Sequence, residues 1–250
     1  MRIVRCTLLL LLTLISLPAW AQFTLGGGIE YFSWTEDTQP IQVKERGPLG
    51  VFTIGYTQVK PAGWLLAYRG RFYLGEVNYD GALLFAPNVP VSSQTRYVGA
   101  ANEGQVRYRT QTFDVLGALG IDIWNRSLSA NQEEDYRIVF VRLGVEHVNA
   151  QRGWLFGAGV KYPVWTQEDA HFTNLGFDQN PKLNPGKDLS GFAQLGYRFN
   201  PHWAVIGYAD GYRFKESDPV FVTAGGVPQG SFVQPATDTY VIGVKAEYSF

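Results

Sequence analysis

Apolar and polar residues alternate with a period of two along most of this chain. Residues 240–250 set the pattern. Tyr240, Ile242, Val244, Ala246, Tyr248 and Phe250 fall on one face, and Val241, Gly243, Lys245, Glu247 and Ser249 on the other. Strict alternation over eleven residues predicts a strand with one apolar and one mostly polar face. Similar segments recur at about 23–35, 49–59, 64–77, 97–108, 112–125, 136–148, 154–166, 187–199 and 203–214, with the last at 238–250. Soluble strands average about 5–6 residues and a tilted membrane strand needs about 9–11. The ten segments have the membrane length.

The connections alternate too. Lys60-Pro61-Ala62-Gly63, Arg109-Thr110-Gln111, Asn149 to Gly153 and Asn200-Pro201-His202 read as tight turns. Longer polar stretches lie between them, at about 36–48, 78–96, 126–135, 167–186 and 215–237. An all-β, up-and-down antiparallel transmembrane barrel of ten strands explains this, with short turns at one rim, long loops at the other and both termini at the short-turn rim. An eight-strand alternative treats 97–111 as loop, at the cost of a structureless stretch of some thirty residues.

A soluble sandwich also alternates, with its apolar face inward. Here Trp64, Trp154 and Trp203 each open a strand directly after a short turn. An interfacial aromatic girdle requires that placement, so the apolar faces are expected to point outward to lipid.

Composition agrees. Only 17% of the 250 residues are charged and 15% are aromatic, against roughly 25% charged for an average domain. The first 21 residues read as a signal peptide: Arg2 and Arg5, an apolar run from Leu8 to Leu17, then Ala19-Trp20-Ala21 before Gln22. Cleavage leaves a 22–250 barrel domain without the single cysteine, Cys6, and takes the net charge from −1 to about −3. Export, no dependence on disulfides and no nucleic-acid partner are expected.

The leader, the ten strands and the ending Tyr240-Val-Ile-Gly-Val-Lys-Ala-Glu-Tyr248-Ser-Phe250 resemble the outer-membrane β-barrel proteins of Gram-negative bacteria. The resemblance covers the whole mature chain and is architectural. It implies a cell outer-membrane location, lipid and lipopolysaccharide as surroundings, and a terminal strand (Tyr240, Ile242, Val244, Tyr248, Phe250) read by the barrel-assembly machinery. A monomer is expected.

Motifs for chemistry are sparse. His147 and His202 lie at the short-turn rim. Glu168-Asp169-Ala170-His171 resembles half of the omptin protease site, but the 78–96 loop holds only Asp80 and no facing Asp-x-Asp. No metal or cofactor site is expected, because no two histidines share a ligand spacing and the mature chain lacks cysteine. Glu133-Glu134-Asp135 reads as a solvated loop tip. Gly26-Gly27-Gly28 precedes no helix, so it is read as room for tight curvature or large neighbours.

The polar faces say more. With apolar faces outward, the lumen receives Glu30, Arg69, Arg71, Glu103, Arg107, Asp114, Asp122, Arg142, Glu146, Lys161, Arg198, Asp210, Lys245 and Glu247, along with bulky Phe32, Trp34, Tyr73, Phe140, Phe192 and Tyr208. Seven positive and seven negative groups imply ion pairing. Adjacency suggests Arg71 with Glu103, Arg107 with Asp114, Asp210 with Lys245, and Lys245 with Glu30. Arg137 and Arg213, outward at strand ends near the long loops, are candidates for lipopolysaccharide phosphates. Three functions stand: a filled barrel displaying loops in a structural or interaction role, a narrow channel for small solutes, and a surface hydrolase of omptin or lipid-modifying type.

Overall fold

The computed structural model describes residues 21–83, 86–148 and 151–250. Residues 1–20, most of the expected leader, and part of the expected turn at 149–153 lie outside the described residues. Ala21, the last residue of the expected leader, starts the first strand.

The chain is an all-β barrel. Its long strands are β1 (Ala21–Glu36), β2 (Val43–Gln58), β3 (Gly63–Leu83), β4 (Ala86–Arg109), β5 (Asp114–Ser127), β6 (Glu133–His147) and β7 (Gly153–Ala170). After the short β8 (Lys182–Leu183) and β9 (Gly186–Asp188) come β10 (Ser190–Arg198) and β11 (Trp203–Lys215). A hairpin of β12 (Val220–Ala224) and β13 (Val227–Phe232) precedes β14 (Thr237–Ser249). Each long strand pairs antiparallel with its neighbours, and the β7–β10, β11–β14 and β14–β1 pairings close the ring at ten strands. Residues 97–108 lie within β4, so the eight-strand alternative is excluded. Both ends meet at the short-turn rim, where the Phe250 amide donates to the Phe23 carbonyl at 2.9 Å.

Alternation assigns the faces as the pattern implied. Ile29, Leu66, Leu74, Leu119, Leu143 and Ile242 stand outward and exposed, an arrangement that only an apolar surround stabilises. Trp64, Trp154 and Trp203 are exposed at the short-turn rim. Each packs edge-on against a tyrosine of the next strand: Tyr108, Tyr197 and Tyr248, with ring centres 5.1, 5.5 and 5.0 Å apart. Along β3 the outward face turns charged at Glu76, and along β11 at Arg213. Those are ten to twelve residues above the tryptophans, roughly 25–30 Å of height for a tilted strand, which matches the hydrocarbon core.

The loop side departs from expectation. The supposed loop 78–96 is a hairpin that prolongs β3 and β4, with Glu76 opposite Arg96 and Asp80 opposite Ser92. β4 carries Pro87 and Pro90 because its outer edge pairs with β5 only from Arg96 onward, and a free edge tolerates proline. The supposed loop 36–48 shrinks to 37–42, because Glu45 is buried and lets β2 start at Val43. The expected strand 187–199 splits: β9 pairs with β11, whereas β10 joins β7 only from Ser190 and β11 only from Phe192.

Within the 215–237 loop, β12 and β13 form their own hairpin, and Val222 packs with Ala170 and Phe172. Asp178 holds its turn, accepting from the Thr223 hydroxyl at 2.6 Å and from the Gly225 and Gly226 amides at 2.8 and 2.9 Å. Both glycines have positive φ, +57° and +75°, where other side chains are strained. These bonds hold the Asp178 carboxyl below its ordinary value. Because the folded value is depressed, its contribution is complete above the ordinary aspartate pKa of about 3.9 and is lost as pH falls through the lower folded value. Protection of the Gly225 and Gly226 amides, measured as exchange relative to the unfolded chain, should therefore hold down to about pH 4 and fall below it. In Asp178→Asn, which removes the titration, that acid dependence should disappear.

Candidate functional site: the ionic lumen

Every strand alternates a side chain into a narrow interior, so inward charges from different strands must meet. All fourteen expected lumen residues occupy inward positions, and all but Arg198 form ion pairs, arranged in layers.

Nearest the short-turn rim, Glu146 receives two parallel bonds from Arg69 at 2.8 and 2.9 Å, plus Arg107 at 2.8 Å. Arg107 lies 3.6 Å from Asp114, as expected, but Arg109 is nearer to that carboxylate at 2.7 Å. Gln105 links the side chains of Glu103 and Arg107. Arg198 donates to the Pro201 carbonyl and the Ser249 hydroxyl at 3.1 Å each, tying a turn to the last strand. Lys245 meets Glu247, two residues along the same face, at 2.7 Å.

The middle layer corrects three expected pairs. Arg71 bonds Glu30 at 2.7 Å and not Glu103, and approaches Asp122 at 4.0 Å. Glu103 instead meets Arg142 at 3.0 Å. Asp210 takes Lys161 at 2.8 Å and Arg142 at 3.3 Å, and not Lys245. Lys245 likewise leaves Glu30 to Arg71 and to the Tyr208 hydroxyl at 2.6 Å. The physical reason is reach: strand stagger brings long side chains together across the lumen, where sequence adjacency of strands does not apply. Aromatic rings complete the layer. Tyr73 and Tyr212 donate to Asp122 at 2.9 and 3.1 Å, Arg142 lies over the Phe192 ring, and Lys161 lies over Tyr212.

A third layer, toward the loops, was missed by sequence reading. Arg126 bonds Glu45 at 2.6 Å, Glu134 at 2.6 Å and Glu36 at 3.1 Å, and sits over the Trp34 ring. Trp34 donates to Glu36 at 2.8 Å and Tyr97 to Glu45 at 2.5 Å. Trp34, Trp124 and Tyr136 pack together beside them. The available signal was phase. Arg126 continues the inward run Asp122-Trp124, and Glu134 continues Tyr136-Ile138, each just beyond an assumed strand end.

Other candidates resolve locally. Gly28 and Gly26 make room for neighbours: a Cβ on Gly28 would lie 2.0 Å from the Val244 carbonyl oxygen, and one on Gly26 would lie 2.5 Å from the Thr53 hydroxyl. His171 approaches Asp135 at 3.1 Å and Glu133 at 3.7 Å. Alternation turns Glu134 inward to Arg126, so Glu133-Glu134-Asp135 does not act as one cluster. Among the described residues no group of three or more His, Cys, Asp or Glu side chains is arranged to hold a metal. Arg137 and Arg213 are outward and exposed above the apolar belt, as are Arg46 and Arg96, and Arg213 meets Asp238 at 3.1 Å. Tyr240, Ile242 and Val244 stand outward on β14, and Phe250 is exposed at the rim.

No family model and no curated protein matches the chain. Among solved structures it is similar to the toluene transporter TodX of P. putida (11% identity, 95% of this chain and 91% of that one, TM-score 0.39). It is also similar to outer membrane protein OprG from Pseudomonas aeruginosa (13%, 93% and 96%, 0.39) and to Ail, the attachment invasion locus protein of Yersinia pestis (11%, 92% and 99%, 0.36). The fold assignment rests on this chain's own closed ring of ten strands and its outward apolar belt.

Proposed function

We propose that the mature chain is an outer-membrane barrel of Gram-negative type that conducts no large solute and presents its loop side in a structural or interaction role. The carrying observation is the pair of upper layers. Arg71–Glu30, Lys161–Asp210 and Arg126–Glu45 cross the lumen together with Phe32, Trp34, Tyr97, Trp124, Tyr136 and Phe140, which form one buried cluster. A ten-stranded barrel is only slightly wider than the eight-stranded size that side chains fill. Refolded protein in a planar bilayer should show no large, steady conductance; porin-like steps would overturn the reading.

The aromatic girdle and the belt height support the outer-membrane assignment, and in barrels of that type short turns face the periplasm, the side this reading gives them. Fractionation should find the mature chain, beginning at Gln22, with outer membranes. Deleting Phe250 should lower assembled barrel at equal synthesis, since the terminal strand is the assembly signal of the proteins it resembles. Arg137 and Arg213 can reach lipopolysaccharide phosphates without crossing hydrocarbon. Replacing both with Gln should weaken lipopolysaccharide binding, and unchanged binding would mark them as merely solvated.

A further inference from the structure

The lumen is not filled evenly. Below the middle layer a cavity of about 400 Å³ extends from the short-turn rim, at Gln22, Gln58 and Phe250, up to Phe140, Lys161 and Asp210, beyond which a space of only about 30 Å³ adjoins it. That volume lies within the roughly 300–1,000 Å³ of small-molecule pockets. One wall is built of small residues of β1 and β2, including Thr24, Thr53 and Gly55, and the other carries charge.

That charge is lopsided. Eight Lys or Arg side chains line the cavity against four Asp or Glu, although the ion-pair network as a whole is nearly balanced. The difference comes from orientation. Arg69 is 38% exposed while its partner Glu146 is 0%, and Arg71 is 21% exposed while Glu30 is 0%. In these two pairs the carboxylate lies behind the guanidinium group; Asp210, 20% exposed against 4% for Lys161, reverses that order, and Lys245 and Glu247 are about equally exposed, so the cationic surface is that of the arginines. Arg109 and Arg198 continue that surface to the rim. In a confined, low-dielectric funnel such a field concentrates anions.

We infer that the short-turn half of the lumen is a blind binding vestibule for a small oxyanion, carrying carboxylate or phosphate, that enters from the short-turn side. Planar guanidinium groups suit both chemistries. Thr24, Thr53 and Gln194 add uncharged hydrogen-bonding groups along the cavity. The inference rests on the proposed closed lumen for its blind end and for the side from which solute arrives.

Refolded mature protein in zwitterionic micelles, free of anionic lipid, should bind citrate saturably at one site per barrel. Inorganic phosphate should compete, and chloride at matched ionic strength should not. The decisive variants neutralise the two members of one cavity-facing pair. Lys245→Gln removes a cation and should weaken citrate binding about tenfold. Glu247→Gln removes a carboxylate and should tighten it. Damage to folding would shift both in the same direction, and that result, or no saturable binding, would overturn the vestibule. A barrel that conducts yet shows these opposite shifts overturns the closed lumen and keeps the anion site; a closed barrel that binds no citrate does the reverse.

Discussion

Replacing Arg126 with Met should destabilise the barrel more than any other single charge removal in the lumen. Among the described residues Arg126 is the one cation in contact with three buried carboxylates, Glu36, Glu45 and Glu134, at 3.1, 2.6 and 2.6 Å. Breaking a buried pair by removing one partner costs about 3–5 kcal/mol, because a charge is left without compensation. Here three charges lose the same partner, with Glu168 buried nearby as a fourth acid whose Oε2 has no hydrogen-bond partner. The methionine also gives up the guanidinium contact with Trp34. The expected loss is at the upper end of that range, about 5 kcal/mol, read from urea unfolding of the refolded protein. Adding Glu45→Gln should restore part of it, since one of the stranded charges is then gone. A loss below about 1 kcal/mol, the scale of an exposed pair, would mean that water reaches this layer freely.

The layer that carries this effect was the hardest to read in advance. Period-two alternation located all ten long strands and sorted inward from outward residues, because the side-chain period of a strand is a local property of the chain. It did so for Arg71, Asp122 and Asp210 as well as for the outward Ile242 and Val244. It failed where inward positions carry charge next to outward charge, as in Lys44-Glu45-Arg46, since no apolar residue then marks the face. Such a segment looks like loop until Arg126 is known to stand against Glu45. The short β9 and the β12–β13 hairpin were illegible for a related reason: β9 pairs with the distant β11, the hairpin pairs only with itself, and neither alternates long enough to show a face. Pairing partners within the lumen were hidden for a third reason. Arg71 and Glu30 are separated by β2, so contact depends on stagger and side-chain length.

That distinction can be measured. Arg71→Ala strips the Nη1 group that donates to both oxygens of Glu30, whose other partner is the Tyr208 hydroxyl, and removes the guanidinium 4.0 Å from Asp122. Arg71 is about one-fifth exposed on the cavity side, so water entering the vestibule should soften the loss to the lower end of the range, about 3 kcal/mol. In a double-mutant cycle, Arg71→Ala with Glu30→Ala should recover part of that loss, with a coupling of at least about 1 kcal/mol. Arg71→Ala with Glu103→Ala, the pair that strand order suggested, should be additive within about 0.5 kcal/mol, because Glu103 is held by Arg142 and Gln105. The single mutant should also raise bilayer leak above wild type, since Arg71 joins the cavity to the layer that closes it. Coupling to Glu103 in place of Glu30 would show that the folded lumen adopts the other pairing. An unchanged leak would place the seal higher, at Arg126 and Trp34.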